Sequence, residues 1–259
     1  MCELFGFTGV RQRDVRVELA EFFRHSIIHS SGWGIADFSP ADGPRRIRFY
    51  TEPVSAREST FVSSLLQQPV CCQNVMAHIR RATVGGISPK NCHPFVRVDA
   101  SGRQWHLIHN GTIFSGVLLM PYRKKQEGDT DSERILLYLI DQMNATIAKK
   151  GAALNSFERF RVVEQMISAL SYRNKLNLII YDGSQMYVHV NMKDTLYSRE
   201  TEEGTCIATV PLTEDQWEPL PLTTLQVFQN GQLKYRGKNH HNEYIDTIHF
   251  TDMSYEYNI

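Results

Sequence analysis

The second residue of this 259-residue chain is a cysteine, Cys2. Removal of the initiator Met1 would leave Cys2 with a free α-amine, whose ordinary pKa of about 8 lies close to neutral pH. Such an amine can take the proton of the thiol and later deliver a proton to a leaving group. Cys2 could therefore supply a nucleophile and a base together, although a cysteine beside the start of a chain gains weight only from its context.

Two further segments carry charges suited to the head of an amino-acid substrate. Arg80-Arg81-Ala82-Thr83 lies where a predicted strand runs toward a Gly-Gly turn. A guanidinium binds a carboxylate through two parallel hydrogen bonds, so Arg80 could hold a substrate there; the alternative is a surface arginine pair on an edge strand. Asp131, within Thr130-Asp131-Ser132-Glu133, could hold an ammonium group or could cap a helix.

His109-Asn110-Gly111-Thr112 offers hydrogen-bond donors at the end of another predicted strand. The side chain of Asn110 carries an NH2 donor, and Gly111 permits close approach of its backbone N–H. Two such donors could form an oxyanion hole for acyl transfer. The alternative is an ordinary Asn-Gly turn that joins two strands.

Asn91-Cys92-His93-Pro94 could be a loop with a buried histidine, or the adjacent Cys and His could indicate a metal. Cys71 and Cys72 are near in sequence, but the ligands do not recur at the paired spacing that zinc sites show. We therefore expect no metal and no cofactor.

The elements that must position these residues are many strands and a few helices. Segments rich in Val, Ile, Phe and Tyr and bounded by Gly, Pro, Asn or Asp predict strands over Cys2–Thr8, Gly32–Phe38, Arg46–Tyr50, Val75–Ala82, Trp105–His109, Leu176–Asp182, Met186–Val190, Thr205–Thr209 and Leu225–Gln229. Asp182-Gly183 predicts a hairpin. Helices are predicted over Ala56–Gln67, Asp131–Lys149 and Ser156–Tyr172. This order indicates a layered α+β domain with helices outside two sheets.

Composition narrows the function classes. Lys+Arg and Asp+Glu both number 28, and this balance argues against nucleic acid as the partner. There is no apolar run long enough for a membrane span and no signal peptide, and the five cysteines have no regular spacing, so we expect a cytoplasmic protein. Without internal repeats or a low-complexity linker, residues 2–259 are predicted to form one domain. Residues 236–259 would be a C-terminal extension, either ordered or flexible.

Taken in order, the motifs resemble the class II glutamine amidotransferases. That family begins with a catalytic Cys after Met and continues with Arg-x-Ala-Thr, Asn-x-His-Pro, His-Asn-Gly and Thr-Asp-Ser/Thr-Glu segments. All five features stand in the same order within the first 133 residues here. The resemblance implies the four-layer αββα sandwich of N-terminal-nucleophile hydrolases. It implies that Cys2, Asn110 and Gly111 are catalytic, and that Arg80, Thr83 and Asp131 bind the substrate.

Further matches resemble the stand-alone, YafJ-like members of the class and extend to about Gly231. They include Met-Cys-Glu-Leu-Phe-Gly, Gly32-Trp33-Gly34-Ile35-Ala36 and Val210-Pro211-Leu212-Thr213. The synthase-linked enzymes commonly have Trp and His where this chain has Arg81 and Val84. This difference concerns the subgroup more than the chemistry.

Three functions follow as hypotheses. The first is hydrolysis of the glutamine side-chain amide through a γ-glutamyl thioester on Cys2, with a separate synthase accepting the ammonia. The second is hydrolysis of a γ-glutamyl amide or peptide within a larger metabolite. The third is a non-catalytic binding module, which a retained Met1 would favour because Cys2 would then lack its amine.

Overall fold

The computed structural model describes residues 2–39 and 49–246. Met1, residues 40–48 and residues 247–259 lie outside the described residues. In the described part, the helices are α1 (Arg16–Arg24), α2 (Thr60–Leu65), α3 (Asp131–Lys150) and α4 (Ser156–Ser171). Short 3-10 helices span His25–Ile27, Ala56–Glu58, Pro89–Asn91 and Val117–Lys124.

The strands form two antiparallel sheets. They are β1 (Glu3–Asp14), β2 (Trp33–Asp37), β3 (Phe49–Glu52), β4 (Cys71–Ile79), β5 (Phe95–Val98), β6 (Gln104–Thr112), β7 (Lys175–Tyr181), β8 (Met186–His189), β9 (Tyr197–Thr201), β10 (Gly204–Ala208), β11 (Glu218–Pro219), β12 (Gln226–Gln229) and β13 (Gln232–Arg236). Among the described residues, sheet A has the order β11-β9-β10-β1-β4-β2-β3 and sheet B has the order β13-β12-β8-β7-β6-β5.

The fold has four layers, and an apolar cluster fills each of the three spaces between them. One joins α1 and α2 to sheet A, one fills the space between the sheets, and one joins α3 and α4 to sheet B. Alternation along each strand produces this division. In β7, for example, Leu178 and Ile180 face the helices while Ile179 and Tyr181 face sheet A. The predicted α+β, four-layer αββα sandwich is confirmed.

Capping residues determine where the α3 helix begins and ends. The Thr130 hydroxyl accepts the backbone N–H of Glu133 at 3.2 Å, which caps the N-terminus. Gly151 adopts φ 73° after the last turn, a conformation that glycine reaches without steric cost. The helix therefore presents Asp131, its first residue, at a fixed point beside the end of β6.

The nine predicted strands are all present, with ends that shift by a few residues. Of Arg46–Tyr50, residues 46–48 lie outside the described residues, and β3 covers the rest. The predicted helix Ala56–Gln67 is divided, because Ser59 has an extended backbone and caps α2 through its hydroxyl. The Asp182-Gly183 hairpin is confirmed by the antiparallel pairing of β7 with β8. The α1 helix and strands β5, β9, β11 and β13 were not predicted.

The described part of the C-terminal extension follows β13 as irregular backbone attached to the body. The N–H of Gly237 donates to Leu225 O at 2.7 Å, and the N–H of Tyr244 donates to Asn191 O at 2.7 Å. Residues 237–246 are therefore held along sheet B. None of the helices in the described ranges is long and apolar enough to cross a membrane.

Candidate active site

Cys2 lies immediately before β1. Because β1 and β4 are antiparallel, the start of β1 lies beside the last residue of β4. Its Sγ is 3.4 Å from both the backbone N and the backbone O of Arg81. Burial raises the pKa of the Cys2 thiol, against the opposing effects of the Arg81 backbone and the Arg80 charge. The thiol is therefore protonated at neutral pH, and a reaction at sulfur needs a base.

Arg80 follows β4, and its guanidinium is buried with only 2% of the residue exposed. Nη1 donates to Gly86 O at 2.9 Å and to Ser31 O at 3.4 Å. Nη2 donates to Val84 O at 2.8 Å and to Gly85 O at 3.0 Å. The predicted carboxylate-binding residue thus organises the loop that follows it, which the sequence did not indicate.

The same loop is tied to the segment before α3. Asn91 Nδ2 donates to Gly86 O at 2.9 Å, and Asn91 Oδ1 accepts the N–H of Asp129 at 3.0 Å. The N–H of Gly86 donates to Asp129 Oδ2 at 3.3 Å. The Asn-x-His-Pro and Thr-Asp-Ser-Glu motifs therefore meet at this loop, while the Thr83 side chain within it is exposed.

Asp131 links α3 to the residues that follow β6. Its Oδ2 accepts the backbone N–H of Ile113 at 2.8 Å, and its carboxylate is buried. The neighbouring Ser132 Oγ lies 3.0 Å from His109 Nδ1. The cap of α3 is Thr130 and not Asp131, so the capping alternative is wrong for this side chain.

Asn110 and Gly111 lie inside β6, opposite Asn177 and Leu176 of β7, so the Asn-Gly turn alternative is wrong. Asn110 Nδ2 is buried and makes no hydrogen bond within the part of the chain that the structure describes. Leaving such a donor unpaired costs about 1–3 kcal/mol, and a ligand oxygen would relieve that cost. Asn110 is therefore suited to receive an oxyanion.

Gly111 cannot be replaced by a larger residue without displacement of its neighbours. A Cβ at this position would lie 2.0 Å from the carbonyl oxygen of Lys175 and 2.4 Å from His109 Nε2. Strand β7 therefore passes closer to Gly111 than any side chain would allow.

Three buried histidines connect the end of β4 with the end of β6. His78 Nε2 lies 3.2 Å from His109 O, and the His78 and His93 ring centroids are 3.9 Å apart. Burial lowers the pKa of His78 to about 3 and that of His93 well below its ordinary value. The interpretation of His93 as a buried loop histidine is confirmed, and no group of metal ligands occurs among the described residues.

Lys175, the first residue of β7, was not predicted as a site residue. Only 5% of it is exposed, and burial lowers its pKa to about 8 while the charges of Cys2 and Asp246 oppose that shift. The sequence signal was a lysine at the start of an otherwise apolar strand, which alone is ordinary. Its proximity to Cys2 depends on how the two sheets stack.

The structure thus brings together Cys2, Arg80 and Asp131 closely enough for both charges to act on the thiol. Asn110 and Gly111 join this group through the contact between His78 and His109 and through Asp131, which binds Ile113. Thr83 lies in the Arg80 loop, exposed and apart from the others.

Comparison with known proteins gives a consistent result. The family model for class II glutamine amidotransferases matches residues 1–201. The YafJ protein of Escherichia coli is 25% identical over 71% of this chain and 70% of its own length. The γ-glutamyl-hercynylcysteine sulfoxide hydrolase of Mycolicibacterium smegmatis is 27% identical over 76% of this chain and 77% of its own length.

A solved structure supports the fold. The crystal structure described as a predicted glutamine amidotransferase from Pseudomonas aeruginosa superimposes with a TM-score of 0.58 at 23% identity. The match covers 90% of this chain and 94% of that one.

Proposed function

The chain belongs to the class II glutamine amidotransferases, and from this premise we propose that it hydrolyses the side-chain amide of glutamine through a thioester on Cys2. The observation that carries the proposal is that Asn110 Nδ2, in the strand that packs across from β1, is buried and has no hydrogen-bond partner among the described residues. A buried donor available to a substrate oxygen, in the strand across from the one that Cys2 precedes, matches what acyl transfer to sulfur requires.

In the first half-reaction, Cys2 Sγ attacks Cδ of the glutamine side chain, and the thiol proton passes to the Cys2 α-amine. The carbonyl oxygen becomes an oxyanion that accepts hydrogen bonds from Asn110 Nδ2 and the Gly111 N–H. The α-ammonium then protonates the amide nitrogen. The C–N bond breaks, ammonia leaves, and a γ-glutamyl thioester remains on Cys2.

In the second half-reaction, water adds to the thioester and gives one proton to the α-amine. A second oxyanion forms in the same hole and collapses with cleavage of the C–S bond. Glutamate leaves as Cys2 regains its proton, so that glutamine and water yield glutamate and ammonia. The base exists only in a chain that has lost Met1.

Asp131 and Arg80 are proposed to bind the substrate head. The buried Asp131 carboxylate would accept the α-ammonium while it keeps its bond to the Ile113 N–H. A substrate carboxylate at Arg80 would compete with the carbonyls of Val84 and Gly85 for the Nη2 protons. Binding would thus be coupled to the Arg80 loop, in which Thr83 could add a hydroxyl donor.

A second candidate is hydrolysis of a γ-glutamyl amide or peptide with a larger leaving group. The relative from Mycolicibacterium smegmatis carries such an activity in its name. In this chain, the exposed Phe114 stacks on Tyr244 with ring centroids 5.7 Å apart, directly after Ile113. This flat apolar surface could accept a bulky leaving group, whereas ammonia needs no such surface.

The test uses protein whose intact mass has established loss of Met1. Release of ammonia and glutamate is measured with glutamine and with γ-glutamyl anilide. Cys2→Ala should abolish turnover, and Cys71→Ala should retain it, because Cys71 is an exposed cysteine on β4. Turnover that survives Cys2→Ala would overturn the proposal, and no turnover of either substrate would favour a non-catalytic binding module.

The two substrates discriminate between the candidate functions. Turnover of glutamine alone would eliminate the γ-glutamyl hydrolase, and a synthase that accepts the ammonia is then the proposed partner. We expect the protein to act in the cytoplasm, where free thiols such as Cys2 stay reduced.

A further inference from the structure

Strands β1 and β7 face each other across the space between the sheets. A Cβ at Gly6 would lie 3.1 Å from Ile179 Cδ1, so these two positions are opposite each other. A second contact lies nearer the start of both strands. Leu4 of β1 is paired with His78, and Leu178 of β7 is paired with His109. The His78 ring contacts the backbone oxygen of His109 and so joins the two pairs across the sheets. Two contacts at different heights fix the relative direction of the strands: both start at the same end.

This register has a consequence for the first residues of the two strands. Side chains two and four residues apart lie on the same face of a strand. Cys2 therefore shares the face of Gly6, and Lys175 shares the face of Ile179. Gly6 and Ile179 are opposite each other, and the two strands run in the same direction. The residues four positions earlier in each strand, Cys2 and Lys175, are therefore also opposite each other.

The charge state of Lys175 agrees with that position. Burial lowers its pKa to about 8, so the side chain is still mainly an ammonium at pH 7. The negative charge of a Cys2 thiolate raises that pKa. Since a Coulomb attraction is mutual, a Lys175 ammonium favours the Cys2 thiolate in turn.

We propose that Lys175 is a positioning residue whose ammonium faces Cys2 across the two sheets and stabilises the thiolate during turnover. The same charge disfavours protonation of the Cys2 α-amine, and so keeps that amine ready to accept the thiol proton. The effect on the thiol stands by itself, and only its role in turnover rests on the proposed function.

Other charged groups also affect the pKa values of Cys2 and Lys175. Arg80 at the end of β4 also favours the thiolate, and Asp131 at the start of α3 opposes it. Asp246, in the C-terminal extension, raises the pKa of Lys175, and His109 on β6 has its pKa lowered by burial. Loss of Lys175 would leave Arg80 as the main side-chain cation near Cys2.

The test measures alkylation of Cys2 by iodoacetamide as a function of pH, with peptide mass spectrometry to separate the cysteines. We expect Lys175→Met to slow the alkylation of Cys2 roughly tenfold at pH 7, where Lys175 is mainly an ammonium, and to have little effect well above pH 8, where Lys175 is neutral. Lys175→Arg should react like the parent protein. The exposed Cys71 is an internal control whose profile should not move in any variant.

Lys175→Gln is a second neutral variant, because loss of a buried lysine could disturb folding, and thermal melting establishes which variants are native. Identical Cys2 profiles in the parent and in a folded neutral variant would overturn the inference. Alkylation does not require turnover, so a protein without glutaminase activity would contradict the proposed function and leave this result intact. If the function holds, kcat/KM at pH 7 should fall in the neutral variants together with the alkylation rate of Cys2.

Discussion

The Nε2 atom of His189 lies 2.9 Å from the Nε2 atom of His240. His189 Nδ1 is 2.6 Å from Leu176 O and must donate there, while His240 Nδ1 accepts the N–H of Asn242 at 3.1 Å. His240 Nε2 therefore donates to His189 Nε2, and both rings are neutral. This pair attaches the C-terminal extension to β8 next to the start of β7.

Stability should fall in mild acid because such histidines are held neutral. Burial lowers the pKa of His189 to about 3, and that of His78 to about 3. A lowered histidine pKa means that the unfolded chain binds more protons, so this stability is complete above about pH 6.5 and is lost toward pH 3.

Urea unfolding at several pH values measures the effect. The free energy of unfolding should drop by about 1 kcal/mol for each of these histidines between pH 6.5 and 5.5. Replacement of His189 by Gln should make the decline shallower. An equally steep decline in the His189→Gln variant would show that the buried His189 does not contribute to this pH dependence.

Asn110→Ala should reduce kcat for glutamine by about 100-fold or more, because an oxyanion-hole donor acts mainly in the transition state. KM should change little. The unfolding free energy should fall only modestly, since the Nδ2 atom of Asn110 makes no hydrogen bond to be lost within the described residues. Steady-state kinetics and urea unfolding provide both measurements, and a change confined to KM would argue against this role.

Gly111→Ala should both destabilise the protein and remove activity. The added methyl group would lie 2.0 Å from Lys175 O, and overpacking of this kind costs about 1–3 kcal/mol. Gly116→Ala is the matched control, because a Cβ there meets only Ile113 Cγ2 at 3.8 Å. Equal melting temperatures for the two variants would show that β7 yields to the added methyl group.

Asp131→Asn should lower kcat/KM for glutamine by about 100-fold, since a hydrogen-bonded charge pair contributes about 1.5–3 kcal/mol. The asparagine oxygen can still accept the Ile113 N–H, so the fold should persist. Asp141→Asn, on an exposed part of the same helix, should have parent-like kinetics. Parent-like kinetics for Asp131→Asn would exclude it as the ammonium-binding residue.

Secondary structure was predictable where local signals agreed. Helix α3 was predicted to within one residue of its end, since its acidic first turn and its apolar spacing agree with each other. Helix α1 was missed. It has no side-chain cap, and its N-cap position is Val15, so its apolar stripe of Leu19, Phe22 and Phe23 began without a start signal.

The sequence identified candidate site residues but not all of their contacts. Cys2, Asn110 and Asp131 were selected because their side chains have suitable chemistry and because their motifs occur in the same order as in the family that the sequence resembles. The four carbonyls bound by Arg80 could not be predicted, because the path of a loop is not encoded in residue types. Lys175 was not among the candidates, because its position relative to Cys2 depends on the stacking of distant strands.

The C-terminal extension has a practical consequence for handling the protein. Its described part ends at Asp246, whose charge reaches Lys175 beside Cys2. An insertion at Asp246 would therefore lie near Lys175, and a tag before Cys2 would remove the α-amine on which the proposed mechanism depends. The turn between β5 and β6 is the better insertion point. Gly102 is exposed there, has nothing within 4 Å of an added Cβ, and lies at the end of β6 remote from Gly111.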